Sequence, residues 1–350
     1  MATSFKSFES GKDSVVTRNL LHEAIPITGT IVSSSTYADE NIKEYSHGMF
    51  QSVYDYPFLS SSANHIFDIT CGYAADSTLS QSSPAAAAQQ QKKINIYNQM
   101  AQVLVGFDET GAVRQFDEDG DLTGGAKIKE AYFINFARLL TKDEIKKGSV
   151  NITLGTATSY AAPLASDITI TDTSGSNGYK VNSPAGEYGI LYATGADLAT
   201  SPSKVGLVYY QAGIAVVTAS AFGTLLSSHA EMDGAAQQVE DLFASSSIND
   251  AGDAIRHRTN NIAFNNTTEL NSTVYFCRVN NTDFNYSANP TYLSESKITV
   301  KTNAQDLPVS YVTSVGLYSD DNELLAVAKL SEPLRKDPSS EFTIRCRLDY

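Results

Sequence analysis

The stretch Glu341-Phe342-Thr343-Ile344-Arg345-Cys346-Arg347-Leu348-Asp349-Tyr350 decides how the rest of the chain is read. Phe342, Ile344, Cys346, Leu348 and Tyr350 alternate with Thr343, Arg345, Arg347 and Asp349. That period of two is the mark of a half-buried strand. Working outward, residues 311–318 and 323–330 are two more strand-like runs, joined by Ser319, Asp320, Asp321 and Asn322, a polar connection of hairpin length. Residues 273–279 and 297–301 precede them, the latter with Ile298 and Val300 on one face. Together these runs predict an antiparallel sheet of about five strands. A strand at its end leaves a row of backbone groups open, so the sheet is expected to be covered by its own domain or by a partner.

Composition narrows the classes of function. The chain has 350 residues, 42% of them hydrophobic, enough for a sizeable core. Lys and Arg total 25 against 39 Asp and Glu, a formal charge of -14 that repels nucleic-acid phosphates and anionic lipid. Only 18% of residues are charged, and the abundance of Ser, Thr, Asn, Gln, Ala and Gly gives a polar neutral surface suited to protein contacts. Cys71, Cys277 and Cys346 lie far apart without zinc or disulfide spacing, and read as buried small apolar side chains made in a reducing compartment. No apolar signal-peptide core and no run of about 18 apolar residues is seen, so neither a signal peptide nor a membrane span is expected.

Four segments are expected. Residues 1–75 form an extended N-terminal arm, with a short strand around Ile25-Pro26-Ile27, and the first strands, including one whose face is His65, Phe67, Ile69, Cys71 and Tyr73. Residues 76–149 contain a helix that starts near Ser82-Ser83-Pro84, keeps Ile94, Tyr97, Ala101, Leu104 and Val105 on one face, and stops at Gly106. Residues 131–140 suit strand or helix, and Thr141 with Glu144 reads as a capping box opening a short helical turn to Gly148. Residues 150–225 read as a β-rich domain with Ser/Thr/Gly loops, a strand at Val150, Ile152 and Leu154, a turn at Ser176-Asn177-Gly178, and a hairpin closed by Gln211-Ala212-Gly213. Residues 226–350 carry a bridging helix over 228–244 and the C-terminal sheet. The fold class is thus mainly β, an α+β arrangement of antiparallel sandwich or sheet domains with a few helices and an extended N-terminal arm.

No catalytic, cofactor-binding or metal-binding residue emerges, and no cofactor is expected. The closest approach is Asp117-Glu118-Asp119-Gly120-Asp121, which starts like a calcium loop. Leu122 stands where such a loop needs glycine and Ile128 where it needs a bidentate Glu, so a solvated hairpin loop is the reading. His22, His47, His65, His229 and His257 have no mutual ligand spacing and read as structural. No GxSxG elbow accompanies the many serines, and Gly124-Gly125 lacks phosphate-loop spacing. Tyr209-Tyr210 and Tyr54-Asp55-Tyr56 read as sheet faces or interfaces, and Arg256-His257-Arg258 as a basic knot that either meets an acidic neighbour or forms a solvated turn after the bridging helix.

Residues 275–290, 312–318 and 323–330, together with 48–54 and 62–68, resemble virion structural proteins of tailed bacteriophages, particularly contractile-tailed ones. The resemblance implies a structural subunit of the virion, assembled in the host cytoplasm, with the tail baseplate as its expected station. It implies other virion proteins as partners (baseplate, tail tube, neck or fibre subunits), copies of itself in the particle, and no enzymatic activity. A neck or collar protein and a receptor-binding fibre module are the alternatives. Residues 1–40 are expected to order on assembly.

Overall fold

The computed structural model describes residues 5–9, 11–28, 40–81, 87–194, 203–222, 239–244, 246–287, 293–294, 297–298, 303, 305 and 307–350. The fold is mainly β. In chain order come β1 (Ser14–Thr28), β2 (Ile42–Glu44), β3 (Gln51–Tyr54) and β4 (His65–Tyr73), then helix α1 (Ala87–Leu104). The short pair β5 (Phe116–Asp117) and β6 (Lys127–Ile128) leads into β7 (Glu130–Phe136), the single-turn α2 (Arg138–Thr141) and β8 (Glu144–Ile145). Next are β9 (Asn151–Gly155), β10 (Asp167–Thr171), the short α3 (Gly175–Gly178), β11 (Tyr188–Thr194), β12 (Ser203–Tyr209) and β13 (Ile214–Thr218). Helices α4 (Val239–Ala244) and α5 (Ile248–Arg258) precede β14 (Thr259–Val279). The chain closes with β15 (Leu293–Ser294), β16 (Lys297–Ile298), β17 (Ser310–Tyr318), β18 (Leu324–Lys336) and β19 (Phe342–Asp349). Among the described residues no helix is long and apolar enough to cross a membrane.

The chain divides into two compact units, residues 21–268 and residues 1–20 with 269–350. These are not the four segments expected at 1–75, 76–149, 150–225 and 226–350. The boundaries differ because strands from separate segments pair: β4 with β7, β7 with β13, and β9 with β14. Local periodicity shows where strands lie and is silent on which of them are neighbours.

In the unit of residues 21–268 the strand order is β14-β9-β10-β11-β12-β13-β7-β4-β3-β2, with β8 beside β14. The pairs from β9 onward are antiparallel. Strand β4 is buried on both sides rather than on the one face that alternation predicts. Helix α1 packs at Gly72, where an added Cβ would lie 2.5 Å from Lys93 O, and α5 packs near Ile69 through Gly252. Positions 69 and 72 point to opposite faces of a strand, so each face has its own helix. The hairpin expected across residues 211–213 is present, with Tyr209 opposite Ile214.

Several local expectations are corrected here. Residues 131–140 divide into β7 and the single turn α2. Thr141 ends α2 rather than capping a new helix, and Glu144 lies in β8; Lys142, at φ 54, reverses the chain between them. Arg256-His257-Arg258 is no solvated turn but the last turn of α5, where Arg256 Nη2 meets an acidic neighbour, Asp253 Oδ1, at 3.4 Å, and Arg258 is fully buried and donates through Nη1 to Gly155 O and Ala157 O. The helix start has a full capping box, Ser247 Oγ accepting from Asp250 N while the Asp250 carboxylate accepts from Ser247 N. The bridging helix is described only over α4, residues 223–238 lying outside the described residues, as do Ser82-Ser83-Pro84.

In the other unit β19 pairs antiparallel with β14, Thr273 opposite Leu348 and Cys277 opposite Ile344. The alternation read from the sequence holds over Phe342–Asp349, where Thr343, Arg345, Arg347 and Asp349 are exposed and Phe342, Ile344, Cys346 and Leu348 are buried or half-buried, but Tyr350, expected on the inner face, is exposed. The single five-stranded C-terminal sheet does not form among the described residues. Strands β17 and β18 pair with each other in a two-stranded sheet, as do β15 and β16, and β18 runs on to Lys336. The N-terminal arm is more regular than expected, β1 covering 15 residues. Its approach is tied down by Lys6 Nζ to Asp283 Oδ2 at 2.8 Å, Arg278 Nε to Asp13 Oδ1 at 2.9 Å, and the Phe8 ring 5.3 Å from that of Tyr275. Residues 29–39 lie outside the described residues.

Candidate functional site

The most site-like constellation is the turn between β5 and β6. Phe116 anchors its base, packing edge-on against Tyr97 at 5.4 Å and against Phe133 at 5.7 Å. The Tyr97 hydroxyl donates to Ile128 O at 2.6 Å, so one tyrosine of α1 holds the base of the hairpin. Between the strands Gly120, Leu122, Gly124 and Gly125 all take positive φ, which coils residues 117–125 into a compact loop. A second anchor comes from β11: the Tyr188 hydroxyl donates to Asn182 Oδ1 at 2.7 Å, and Asn182 Nδ2 donates to Gly120 O at 3.0 Å. Burial and the neighbouring aspartates push the Tyr188 phenol up to about 12.

This winding brings oxygen atoms of Asp117, Asp119 and Asp121 within 4.8 Å of one another. Asp121 is exposed and Asp119 half-exposed, whereas Asp117 is only 1% exposed. Lys127 Nζ meets Asp117 Oδ2 at 2.9 Å, and Lys204 Nζ stands 4.0 Å from Asp119 Oδ2. The Thr123 backbone N–H, donating to Asp121 at 2.8 Å, holds that carboxyl below the usual range. Glu118 is raised by burial, with Asp117 and Asp119 adding to the shift. The hairpin expected at this sequence is present, but one of its carboxylates is in the interior rather than in solvent. Alternation could not flag it, because it places Asp117 on the face opposite Phe116, and both are buried.

The remaining candidates do not assemble. His22 Nδ1 pairs with Thr267 Oγ1 at 3.1 Å, His65 Nε2 with Asp68 Oδ1 at 2.8 Å, and His257 Nε2 with Tyr160 O at 2.9 Å. His47 accepts from Met49 N at 3.0 Å and stacks on Tyr45, and His229 lies outside the described residues. Tyr209 and Tyr210 are core residues, while Tyr56 is exposed. A shallow depression lined by Asp76, Asn98, Arg114 and Gln115 holds no free acid: Asp76 is bonded to Lys129 and Gln115. The cysteines divide. Cys71 stands alone in the core, and Cys277 and Cys346 lie on one face of the β14–β19 pair, diagonal across the register. Their separation in sequence hid that proximity.

No protein-family model, curated protein or solved structure matches the chain.

Proposed function

We propose that this chain is a structural subunit of a bacteriophage virion, seated in the tail baseplate, where it holds neighbouring tail proteins in place. Two things support the reading. One is the resemblance of residues 275–290, 312–318 and 323–330 to virion proteins of contractile-tailed phages. The other, which carries it structurally, is the β17–β18 hairpin. Its strands of 9 and 13 residues pair with each other, yet large apolar side chains stay exposed on one face, Leu324 at 52% and Val327 at 56% beside Tyr318, with Leu325 at 67% in the bulge between them. A two-stranded sheet whose apolar face stays in water gains little from burial there. A neighbouring protein subunit laid against it supplies the missing layer. The polar, weakly charged surface elsewhere suits repeated contacts between subunits of a symmetric particle.

The test is cross-linking with mass spectrometry on purified virions. Lys329, exposed on β18, is the informative position together with Lys6, Lys92 and Lys146; Lys336 is fully buried, its ammonium donating to Asn281 O, Asn285 Oδ1 and Asp337 O. Links from Lys329 to tube, sheath or baseplate subunits are expected. Links confined to collar proteins move the chain to the neck, and links confined to copies of itself and a distal fibre favour a receptor-binding module. Absence of the chain from purified particles overturns the proposal.

A further inference from the structure

We propose that the β5–β6 loop binds one hard divalent cation of the calcium class through Asp117, Asp119 and Asp121. Three exposed aspartates would not carry this inference, because solvated carboxylates need no counter-ion. The decisive atom is Asp117 Oδ1. Asp117 is 1% exposed, its Oδ2 is answered by Lys127, and among the described residues no hydrogen-bond donor reaches Oδ1. A buried carboxylate oxygen without a donor is costly, and such atoms are rare in folded proteins.

That oxygen faces the cluster. A point one Cβ out from Gly125 lies 3.6 Å from Asp117 Oδ1 and also 3.6 Å from Asp119 Oδ2, so both oxygens border one small space over a residue that has no side chain. The donor set is all oxygen, without His or Cys, which selects a hard cation. Metal–oxygen bonds of about 2.4 Å let calcium touch oxygens up to about 4.8 Å apart, whereas bonds of about 2.1 Å would make magnesium draw them closer. Oxygens within 4.8 Å of one another are close enough for one such ion to touch all three. The sequence raised two objections, and the structure removes one: Leu122 takes φ 63, the left-handed conformation for which calcium loops use glycine at this position. The other stands. Ile128 is buried in β6 and no bidentate Glu replaces it, so the site is weak, with a dissociation constant of about 0.1–1 mM, and completed by water.

The test uses the full chain and terbium as the luminescent probe. With no tryptophan in the sequence, sensitised emission must come from tyrosine, and the Tyr188 ring borders the loop. One saturable terbium site per chain is expected, displaced by calcium at roughly tenfold lower concentration than by magnesium. The double variant Asp119→Asn with Asp121→Asn changes two carboxylates that are not buried, and should weaken calcium displacement at least tenfold while leaving the melting temperature in chelator unchanged. If that variant misfolds, Asp121→Asn alone is read for the same weakening. Calcium should also raise the melting temperature of the parent chain but not of the variant. No saturable site up to about 10 mM calcium, far above the range of known calcium modules, overturns the proposal. Equal binding by parent and variant overturns it too.

Discussion

Tyr210 donates its hydroxyl to Asp172 Oδ2 at 3.0 Å inside the larger unit. The same carboxylate accepts from Gly148 N at 2.7 Å and Val150 N at 2.8 Å, so one fully buried acid ties the end of β10 to the approach to β9 and to the residue after β12. The phenol reaches it between two glycines: a Cβ at Gly175 or Gly189 would lie 2.2 or 2.1 Å from the Tyr210 oxygen. Asp172→Ala should cost about 3 kcal/mol, since it strands two backbone N–H groups and a hydroxyl, and Tyr210→Phe about 1 kcal/mol. Urea unfolding of both variants, with the double variant closing the cycle, measures this.

Asp172 also predicts a pH dependence. Burial raises its carboxyl above the usual range, against the pull of its three donors. A raised folded value means that the folded state holds the proton more tightly than the unfolded state. Its contribution is therefore fully present below the unfolded value of about 3.9 and is lost as pH rises through the folded value. Urea midpoints measured in steps upward from pH 4 should carry this falling component in the parent, and Asp172→Asn should remove it.

Lys93 of α1 is fully buried, and its ammonium donates to Leu242 O at 3.1 Å, to Phe243 O and to Ser246 O at 2.7 Å. These carbonyls close the C-terminal end of α4, where a cation is favoured. Lys93→Met should destabilise by roughly 2–4 kcal/mol, because charge-assisted hydrogen bonds are lost and carbonyls are left buried. Chemical unfolding checks the magnitude. Amide exchange should show that the loss is concentrated in α4.

Gly72 sets how closely α1 approaches β4. An added Cβ would meet Lys93 O at 2.5 Å and Tyr97 N at 2.9 Å, both backbone atoms that cannot turn aside. Gly72→Ala should cost about 1–3 kcal/mol by forcing the helix outward, the usual penalty of overpacking. An unfolding midpoint equal to that of the parent would show that α1 sits farther from the sheet.

The thiols should be inert in the native state. Burial pushes Cys71 up to about 11 and Cys277 up to about 12, the neighbouring Cys346 adding to the latter. Thiolate, not thiol, is the reactive form, so at pH 8 maleimide should label native protein slowly. After denaturation all three cysteines should react. Rapid native labelling of Cys277 would mean that the β14–β19 pair opens.

Period and punctuation settled much of this molecule in advance. Phe342 to Leu348 alternate in the structure as in the sequence, the hairpins at 211–213 and 319–322 close where their turn residues stand, and α1 ends before Gly106. Ser247 and Asp250 open α5, a helix that the sequence reading did not anticipate. Their signal is local, and local hydrogen bonds produce it.

Pairing was decided by tertiary structure alone. Residues 273–279 and 311–318 read alike as strands, yet among the described residues the first joins β19 and the second β18, because alternation specifies a buried face and not the neighbour that buries it. The same limit applies to the aspartate loop. Its residue types are plain in the sequence, but the burial of Asp117, the left-handed Leu122 and the space beside Gly125 arise only once Tyr97 and Tyr188, from distant elements, hold the hairpin in place. Residue spacing encodes local conformation, and the environment of a charge depends on which distant side chains fold against it.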